Sequence, residues 1–519
     1  MAVTSSAPEG MSDNTEEKKT LPANADPEAT NNRDDPLALL SKIETSSEAH
    51  PVRWPLWKKW FIVFVYCLLQ VFVTLTSTSY VSVEFLIMEK WTSSAQVATL
   101  GQSMFIVGTA VGPAFLGPMA DIKGRKWVYV SSIAMYAILN IGTALAYNYP
   151  MLVIFCFLIG CAGSVALCNV AGTIADLFGD TDGAAQPMAL FVLSANFGPS
   201  LGSPIGEWIG TNPSLGWRWI FYINIIIGGA FALFLCFMPE TLPRIVIARA
   251  VKRRGSVDQN ELDIAMGSSK LSVLREMRFV ATMALRIMVS EPIVISLGLY
   301  NGFAYGLLFL YLDGVFGVFV VNNGLSYVGA SLTYLNFCVG QSYSCQAQTA
   351  ELQVLTGELG VTVTFCFVPV QTYLFRRHRL KHGHMPEARF LTSLVAVWLF
   401  PVSLFWFAWT CDGETSYWSP VVAGAVLGFC DPLLWLAMLN YITDSYPNVA
   451  ASAIAAFLIP SFLIAAGCAH AGVAMFANMD VRWAFSTLGF ISVGLVVLVY
   501  VLFFWGPALR RWSPLAKTF

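Results

Sequence analysis

Long apolar windows, each about the length of a membrane-crossing helix, repeat from Trp60 to Trp505 and are separated by short polar or glycine-bearing breaks. An α-helix needs about 20 predominantly apolar residues to traverse the hydrocarbon core of a bilayer. Such windows fall at 60–83, 96–119, 127–147, 151–174, 187–210, 218–238, 290–314, 327–374, 390–410, 418–442, 449–476 and 484–506, the eighth being interrupted. The pattern predicts an all-α polytopic membrane protein with twelve transmembrane helices. Composition agrees. Of 519 residues, 56% are hydrophobic and 12% charged, and the mean hydropathy is +0.62, whereas a soluble domain carries about 25% charge.

Charge placement orients the spans. With a cytosolic N-terminus, only Lys90, Arg218 and Arg482 fall outside, and the other 27 of the 30 basic residues lie in the tails or the even-numbered connections. That bias predicts both termini in the cytosol. The net charge of −2 offers no case for a nucleic-acid partner.

The polar segments divide the chain further. The first 50 residues hold ten acidic and four basic side chains with few large apolar ones. Residues 1–52 are therefore expected to be a disordered tail. They lack a charged stretch followed by a short apolar run, so no cleaved signal peptide is expected. Residues 239–289 form the longest connection, opening Pro239-Glu240-Thr241-Leu242-Pro243 and turning basic through Arg249, Lys252, Arg253 and Arg254. They separate two six-span halves, 53–238 and 290–506, with a short tail at 507–519. No metal-ligand spacing, phosphate-cradling loop or nucleophile with its base is present. The eleven cysteines read as small apolar fillers. An enzyme or an ATP-driven pump is disfavoured, no cofactor is implied, and a monomer is expected.

Between the second and third windows lies Gly117-Pro-Met-Ala-Asp121-Ile-Lys-Gly124-Arg125-Lys126. Glycines at both ends permit a tight turn and close helix approach. Asp121 is placed to accept from the N-terminal amides of a neighbouring helix, and Arg125 and Lys126 to stay in the headgroup layer. Span 5 contains Gly198-Pro199-Ser-Leu-Gly202-Ser-Pro204-Ile-Gly206. Its prolines and small residues predict a kink and a smooth face packed against the opposite half. Gly216-Trp217-Arg218-Trp219-Ile-Phe221 opens span 6 with aromatics at interfacial depth.

The decapeptide resembles the signature loop G-x-x-x-D-x-x-G-R-[KR] of the major facilitator superfamily, matched at Gly117, Asp121, Gly124, Arg125 and Lys126. Span 5 resembles the G-P-x-x-G motif of proton-coupled antiporters. With the Pro-Glu-Thr-Leu after span 6, residues 55–515 resemble the fungal twelve-span drug:proton antiporters. The resemblance implies two six-helix bundles related by an axis along the membrane normal. It also implies that the loop is a latch made and broken during transport, and that a small molecule moves with protons as partners across a plasma or vacuolar membrane. An echo of the loop is expected between spans 8 and 9, where Arg376-Arg-His-Arg379-Leu-Lys381 precedes Pro386-Glu387-Ala-Arg389. One position departs from the family. Its span 4 arginine, in R-x-x-x-G and associated with proton coupling, is here Cys156, four residues before Gly160.

Ionisable residues within the spans are candidates for proton or substrate binding, because charge in a membrane interior is costly. Glu84 and Glu207 lie near the outer ends of spans 1 and 5, Asp313 near that of span 7, and His470 in the outer half of span 11. Glu291 begins span 7. Asp431 stands mid-span 10, in Gly428-Phe-Cys-Asp431-Pro432, where it serves as a proton site or satisfies backbone freed near Pro432. If Glu84, Glu207, Asp313 and Asp431 face one cavity, they confer cation selectivity, with Tyr80, Phe197, Tyr300, Tyr305 and Trp435 as stacking surfaces.

Span 8 consists of two short apolar pieces, 327–340 and 361–375, around a polar stretch, 341–360. That stretch is expected to be a translated intron or inserted loop, or else a re-entrant segment lining a cavity. Two functions stay open. One is proton-coupled efflux of small amphipathic or cationic compounds such as drugs, toxins, secondary metabolites or polyamines. The other is uptake or facilitated passage of polyamines or a nutrient.

Overall fold

Each apolar window winds into a helix, because a chain surrounded by lipid can pair its backbone groups only internally. The computed structural model describes residues 49–179, 182–254, 270–335, 359–382, 385–446, 449–513 and 515–516. The tail through residue 48 and residues 341–358 of the span 8 stretch lie outside the described residues.

The first half comprises α1 (Leu56–Trp91), α2 (Ala95–Lys123), α3 (Arg125–Ala144), α4 (Tyr149–Phe178), α5 (Ala185–Thr211) and α6 (Arg218–Leu235). The connection to the second half carries two helices that the hydropathy pattern does not announce, α7 (Pro243–Arg254) and α8 (Lys270–Ser290). The second half comprises α9 (Pro292–Phe316), α10 (Tyr327–Thr333), α11 (Leu359–His382), α12 (Ser393–Thr410), α13 (Trp418–Ser445), α14 (Ala450–Asn478) and α15 (Val481–Trp512). Among the described residues, ten helices are long and apolar enough to cross a membrane. α5 is long enough too, at about 1.5 Å per residue, but its glycines, prolines and serines dilute its apolar character.

Within the first half, α1 lies along α5, α2 along α4, and α3 along α6; in the second, α9 lies along α14, and α12 packs against both α13 and α15. Aromatic layers fill both interiors. Tyr66 stacks on Tyr129 at 4.2 Å, and Phe407 meets Phe485 at 4.6 Å. The outer surface exposes Phe64, Leu233, Phe237, Phe490 and Phe504, the kind of apolar belt a bilayer covers. Between the halves, α2 meets α14, and α5 meets α10, α11 and α13, while α8 touches both α2 and α14.

Two expectations are corrected by the helix geometry. Gly117 is not at a turn: the helix continues through it to Lys123, and a Cβ there would meet nothing within 4 Å. The whole reversal falls on Gly124, whose φ of +101° lies in the region where a side chain is strained. The small-residue face of α5 does not pack against the opposite half either. Gly198, Gly202 and Gly206 all face α1, where a Cβ at Gly206 would lie 2.6 Å from the Ser79 carbonyl oxygen and 2.8 Å from Ser79 Cα. Thr78 Oγ1 donates to the Pro199 carbonyl at 2.6 Å and Ser82 Oγ to the Ser203 carbonyl at 3.0 Å, tying the two helices together. Pro199 and Pro204 both sit inside the continuous α5.

Candidate substrate cavity and charge networks

Both halves contribute to one cavity at mid-depth, of about 550 Å³. The first half supplies Gln70, Thr74 and Ser77 from α1, Phe105 from α2 and Ser164 from α4; the second supplies Asn301 and Tyr305 from α9, Trp435 from α13 and Phe462 from α14. Tyr305 and Phe462 meet edge to face at 5.1 Å. A lining that is mainly apolar and aromatic with a few polar groups is the usual form of a small-molecule site. No Asp, Glu, Lys, Arg or His is among the described residues lining it.

The acidic candidates are therefore not gathered around one cavity, and the cation-selective arrangement expected from sequence does not form. Glu84 begins the last helical stretch of α1 and accepts from Thr99 Oγ1 at 3.2 Å. Glu207 is buried near the end of α5 and makes no ion pair among the described residues. Asp313 falls near the end of α9. His470, on α14, instead joins the two halves: its Nδ1 lies 3.0 Å from Gln96 Oε1, and Gln96 Nε2 donates to its carbonyl at 3.0 Å. Asp431 comes nearest to the cavity. It is buried in the middle of α13, one turn before Trp435, within electrostatic reach of Tyr300 and Tyr305 on α9. Of the expected aromatic surfaces, Tyr305 and Trp435 line the cavity, while Tyr80, Phe197 and Tyr300 do not.

Cys156 lines a second void of about 250 Å³ with Thr76, Tyr80, Gln102 and Phe221. Ser77 and Phe105 border both spaces, so the second adjoins the first.

At the face carrying Gly124, charge networks fasten the helix ends. Arg125 is buried rather than held in a headgroup layer: its guanidinium pairs with Asp176 of α4 and, at 3.3 Å, with Asp121. Asp121 does not cap a neighbouring helix. Glu240 does, accepting from the backbone N–H groups of Arg125 at 3.0 Å, Thr241 at 3.0 Å and Leu242 at 3.1 Å. It thereby satisfies donors at the starts of α3 and α7, where a negative charge is favoured. Lys126 lies over the Trp127 ring at 5.4 Å.

The second half repeats the device with different partners. Arg389 donates to Asp444 of α13 at 2.9 Å, as Arg125 does to Asp176 of α4. Arg510 of α15 clasps Glu387 through Nε at 2.8 Å and Nη2 at 2.9 Å, both side chains buried. Glu291 accepts from Tyr446 at 2.9 Å and from Ser513 at 2.7 Å. The echo of the signature loop is thus carried by Pro386-Glu387-Ala-Arg389, not by the basic run at 376–381, which continues α11. Sequence reasoning did not single out Gln70, Asn301, Asp176 or Arg510. A lone glutamine or asparagine in an apolar window was the available signal for the first two.

Known proteins resemble the chain over most of its length. The Major Facilitator Superfamily profile matches residues 62–377. An uncharacterised transporter of Schizosaccharomyces pombe is 48% identical over 483 residues, 93% of this chain and 84% of that protein. The vitamin B6 transporter bsu1 of the same organism is 40% identical over 481 residues, 92% and 86% of the two chains. A citrinin biosynthesis cluster transporter of Monascus ruber is 31% identical over 477 residues, 89% and 90%. Among solved structures, a proton:xylose symporter superposes with a TM-score of 0.55 at 13% identity, covering 86% of this chain and 96% of its own.

Proposed function

Since the chain belongs to the major facilitator superfamily and is a multi-pass membrane transporter, we propose that it is a secondary carrier that moves a small organic solute by alternating access through the central cavity. The observation that carries this reading is the cavity itself, enclosed at mid-depth by helices of both halves. Contacts on its two sides are the parts that would exchange. On one side lie the Gln96–His470 hydrogen bonds; on the other, α8 bridges α2 and α14 beside the Arg125 network. The bias of basic residues supports a cytosolic position for the Gly124 face.

The mainly apolar and uncharged lining supports a nutrient-like or metabolite-like solute over a polyamine. The relative named for vitamin B6 makes pyridoxine the first compound to test, and the relative named for a citrinin cluster keeps export of planar metabolites as the second reading. Asp431 is the residue we assign to proton coupling. It is a carboxylate buried in the middle of α13, one turn from a cavity-lining residue, with no ion pair among the described residues. The test is transport of labelled pyridoxine into proteoliposomes under an imposed pH gradient, with the gradient set in each direction. Gradient-driven movement in the wild type and its loss in Asp431→Asn is the expected result. Transport by Asp431→Asn that still follows the gradient would overturn the assignment of Asp431, and the absence of any carrier-mediated flux would overturn the carrier reading for this solute.

A further inference from the structure

Three polar atoms on residues lining the central cavity have no hydrogen-bond partner among the described residues: Gln70 Nε2, Gln70 Oε1 and Trp435 Nε1. Both residues are buried, Gln70 to 1% exposure and Trp435 to 6%. Buried polar groups are nearly always paired in native structures, so each exception calls for an explanation. Neighbouring hydroxyls spend their protons on their own helices, which leaves none for Gln70 Oε1, and no described acceptor takes the Gln70 Nε2 or Trp435 Nε1 protons. Thr74 donates to the Gln70 carbonyl at 2.8 Å, Ser77 to the Thr74 carbonyl at 2.7 Å, and Ser164 to the Cys161 carbonyl at 2.8 Å. The carboxamide and the indole N–H are left unpartnered among the described residues, on side chains that line a space both halves border.

Resting on the carrier reading above, we propose that Gln70 and Trp435 recognise the edge of a net-uncharged planar heteroaromatic solute through a ring hydroxyl, which both donates and accepts, as in a hydroxypyridine. A carboxamide presents one donor and one acceptor in a plane, the complement of such an edge. The indole N–H supplies a further donor to a ring substituent. Tyr305, Phe462 and Phe105 offer the ring its stacking and edge contacts. No ionised side chain lines the space to offset the desolvation of a charged ligand. A site built on unpaired polar groups also rejects an apolar isostere, which would leave them unpaired when bound.

The experiment is equilibrium binding of labelled pyridoxine to the full-length carrier in lipid nanodiscs, with 3-hydroxypyridine, benzyl alcohol and spermidine as competitors. Gln70→Leu and the near-isosteric Gln70→Met should each weaken pyridoxine binding by about tenfold or more, the scale of a lost bidentate pair. Trp435→Phe, which keeps the ring and removes the N–H, should weaken it by several-fold. A residue with a merely structural role would destabilise the unliganded protein when replaced; here the ligand-free melting temperature of Gln70→Leu should hold or rise, since an unpaired amide is removed. 3-Hydroxypyridine should displace pyridoxine at lower concentration than benzyl alcohol or spermidine. Unchanged pyridoxine affinity in both Gln70 variants, preferential displacement by spermidine, or failure of the wild type to bind either hydroxypyridine would overturn the proposal. Flux of some other solute into proteoliposomes of the same protein would then leave the carrier reading standing, so the two failures are separable.

Discussion

The contact between α1 and α5 makes the most direct claim that can be broken by one methyl group. Gly206→Ala adds a Cβ 2.6 Å from the Ser79 carbonyl oxygen and 2.8 Å from Ser79 Cα. Carbon atoms in van der Waals contact sit at about 3.5–4.0 Å, so the helices must part by about 1 Å. The obstructing atoms are backbone, and no rotamer change relieves them. Overpacking of this kind costs about 1–3 kcal/mol. Parting the helices also stretches the 3.0 Å bond from Ser82 to the Ser203 carbonyl, at about 0.5–1.5 kcal/mol. The gain in helix propensity from glycine to alanine returns about 1 kcal/mol. A net destabilisation of about 0.5–3.5 kcal/mol follows. The control is Gly229→Ala on α6, where a Cβ meets nothing within 4 Å; it should be neutral or slightly stabilising. The assay is thermal unfolding of purified protein in one detergent, read by intrinsic fluorescence. Because α1 and α5 both line the cavity, solute binding should weaken along with stability. If Gly206→Ala melts where the wild type does, the close approach of the two helices is wrong and the reasoning falls with it.

Other consequences concern the charge networks. Asp176→Asn should impair transport more than Asp121→Asn, because Asp176 is the partner buried with Arg125 while Asp121 is half exposed; parallel flux and surface-expression measurements decide the order. Arg510→Ala leaves Glu387 buried without its cation and should cost about 3–5 kcal/mol, the usual price of breaking a buried pair, and thermal unfolding would register it. In the loop between α12 and α13, the Thr415 amide chiefly, aided by the Thr415 hydroxyl and the Glu414 amide, holds the Asp412 carboxyl below the usual carboxylate range. A depressed folded-state value means the stabilisation is present above the ordinary carboxylate pKa and is lost as pH falls through the lowered one. Amide exchange at Glu414 and Thr415 should therefore stay protected in mild acid and open only in stronger acid; opening already near the ordinary carboxylate value contradicts it.

Placement of the helices was legible from hydropathy because burial in lipid imposes one length and one composition on every span. Most ends move by only a few residues, but α1 runs to Trp91, past the expected 83, and its continuation carries Glu84 inside a helix. α7 and α8 escaped notice because basic residues interrupt their apolar faces. The signature loop was legible as a motif, yet the roles within it were not. Whether Asp121, Asp176 or Glu240 meets Arg125 depends on how α2, α3, α4 and α7 converge, and no local spacing encodes that. The cavity was legible through its aromatics Tyr305 and Trp435. Its amides were not, since a glutamine in an apolar window becomes informative only once the helix is rotated into place.

The two halves share an arginine–aspartate contact but not a chemistry. Arg125–Asp176 and Arg389–Asp444 join the end of the fourth helix of each half to the loop before its third, which is what a repeated bundle would retain. Around the cavity the symmetry fails. The first half presents Gln70, Thr74, Ser77 and Ser164, none of them ionisable at neutral pH, and Cys156 beside a void where resembling carriers place an arginine. The second half brings Asp431 to within a turn of the cavity. A neutral first-half lining can recognise a solute without changing protonation. A buried acid in the second half can change protonation without touching the solute. Separation of those tasks between Gln70 and Asp431 means that Gln70 variants should alter affinity while leaving the pH dependence of flux in place, and that Asp431→Asn should do the reverse. A Gln70→Leu carrier whose pH profile moves along with its affinity would show that the two tasks are not separate.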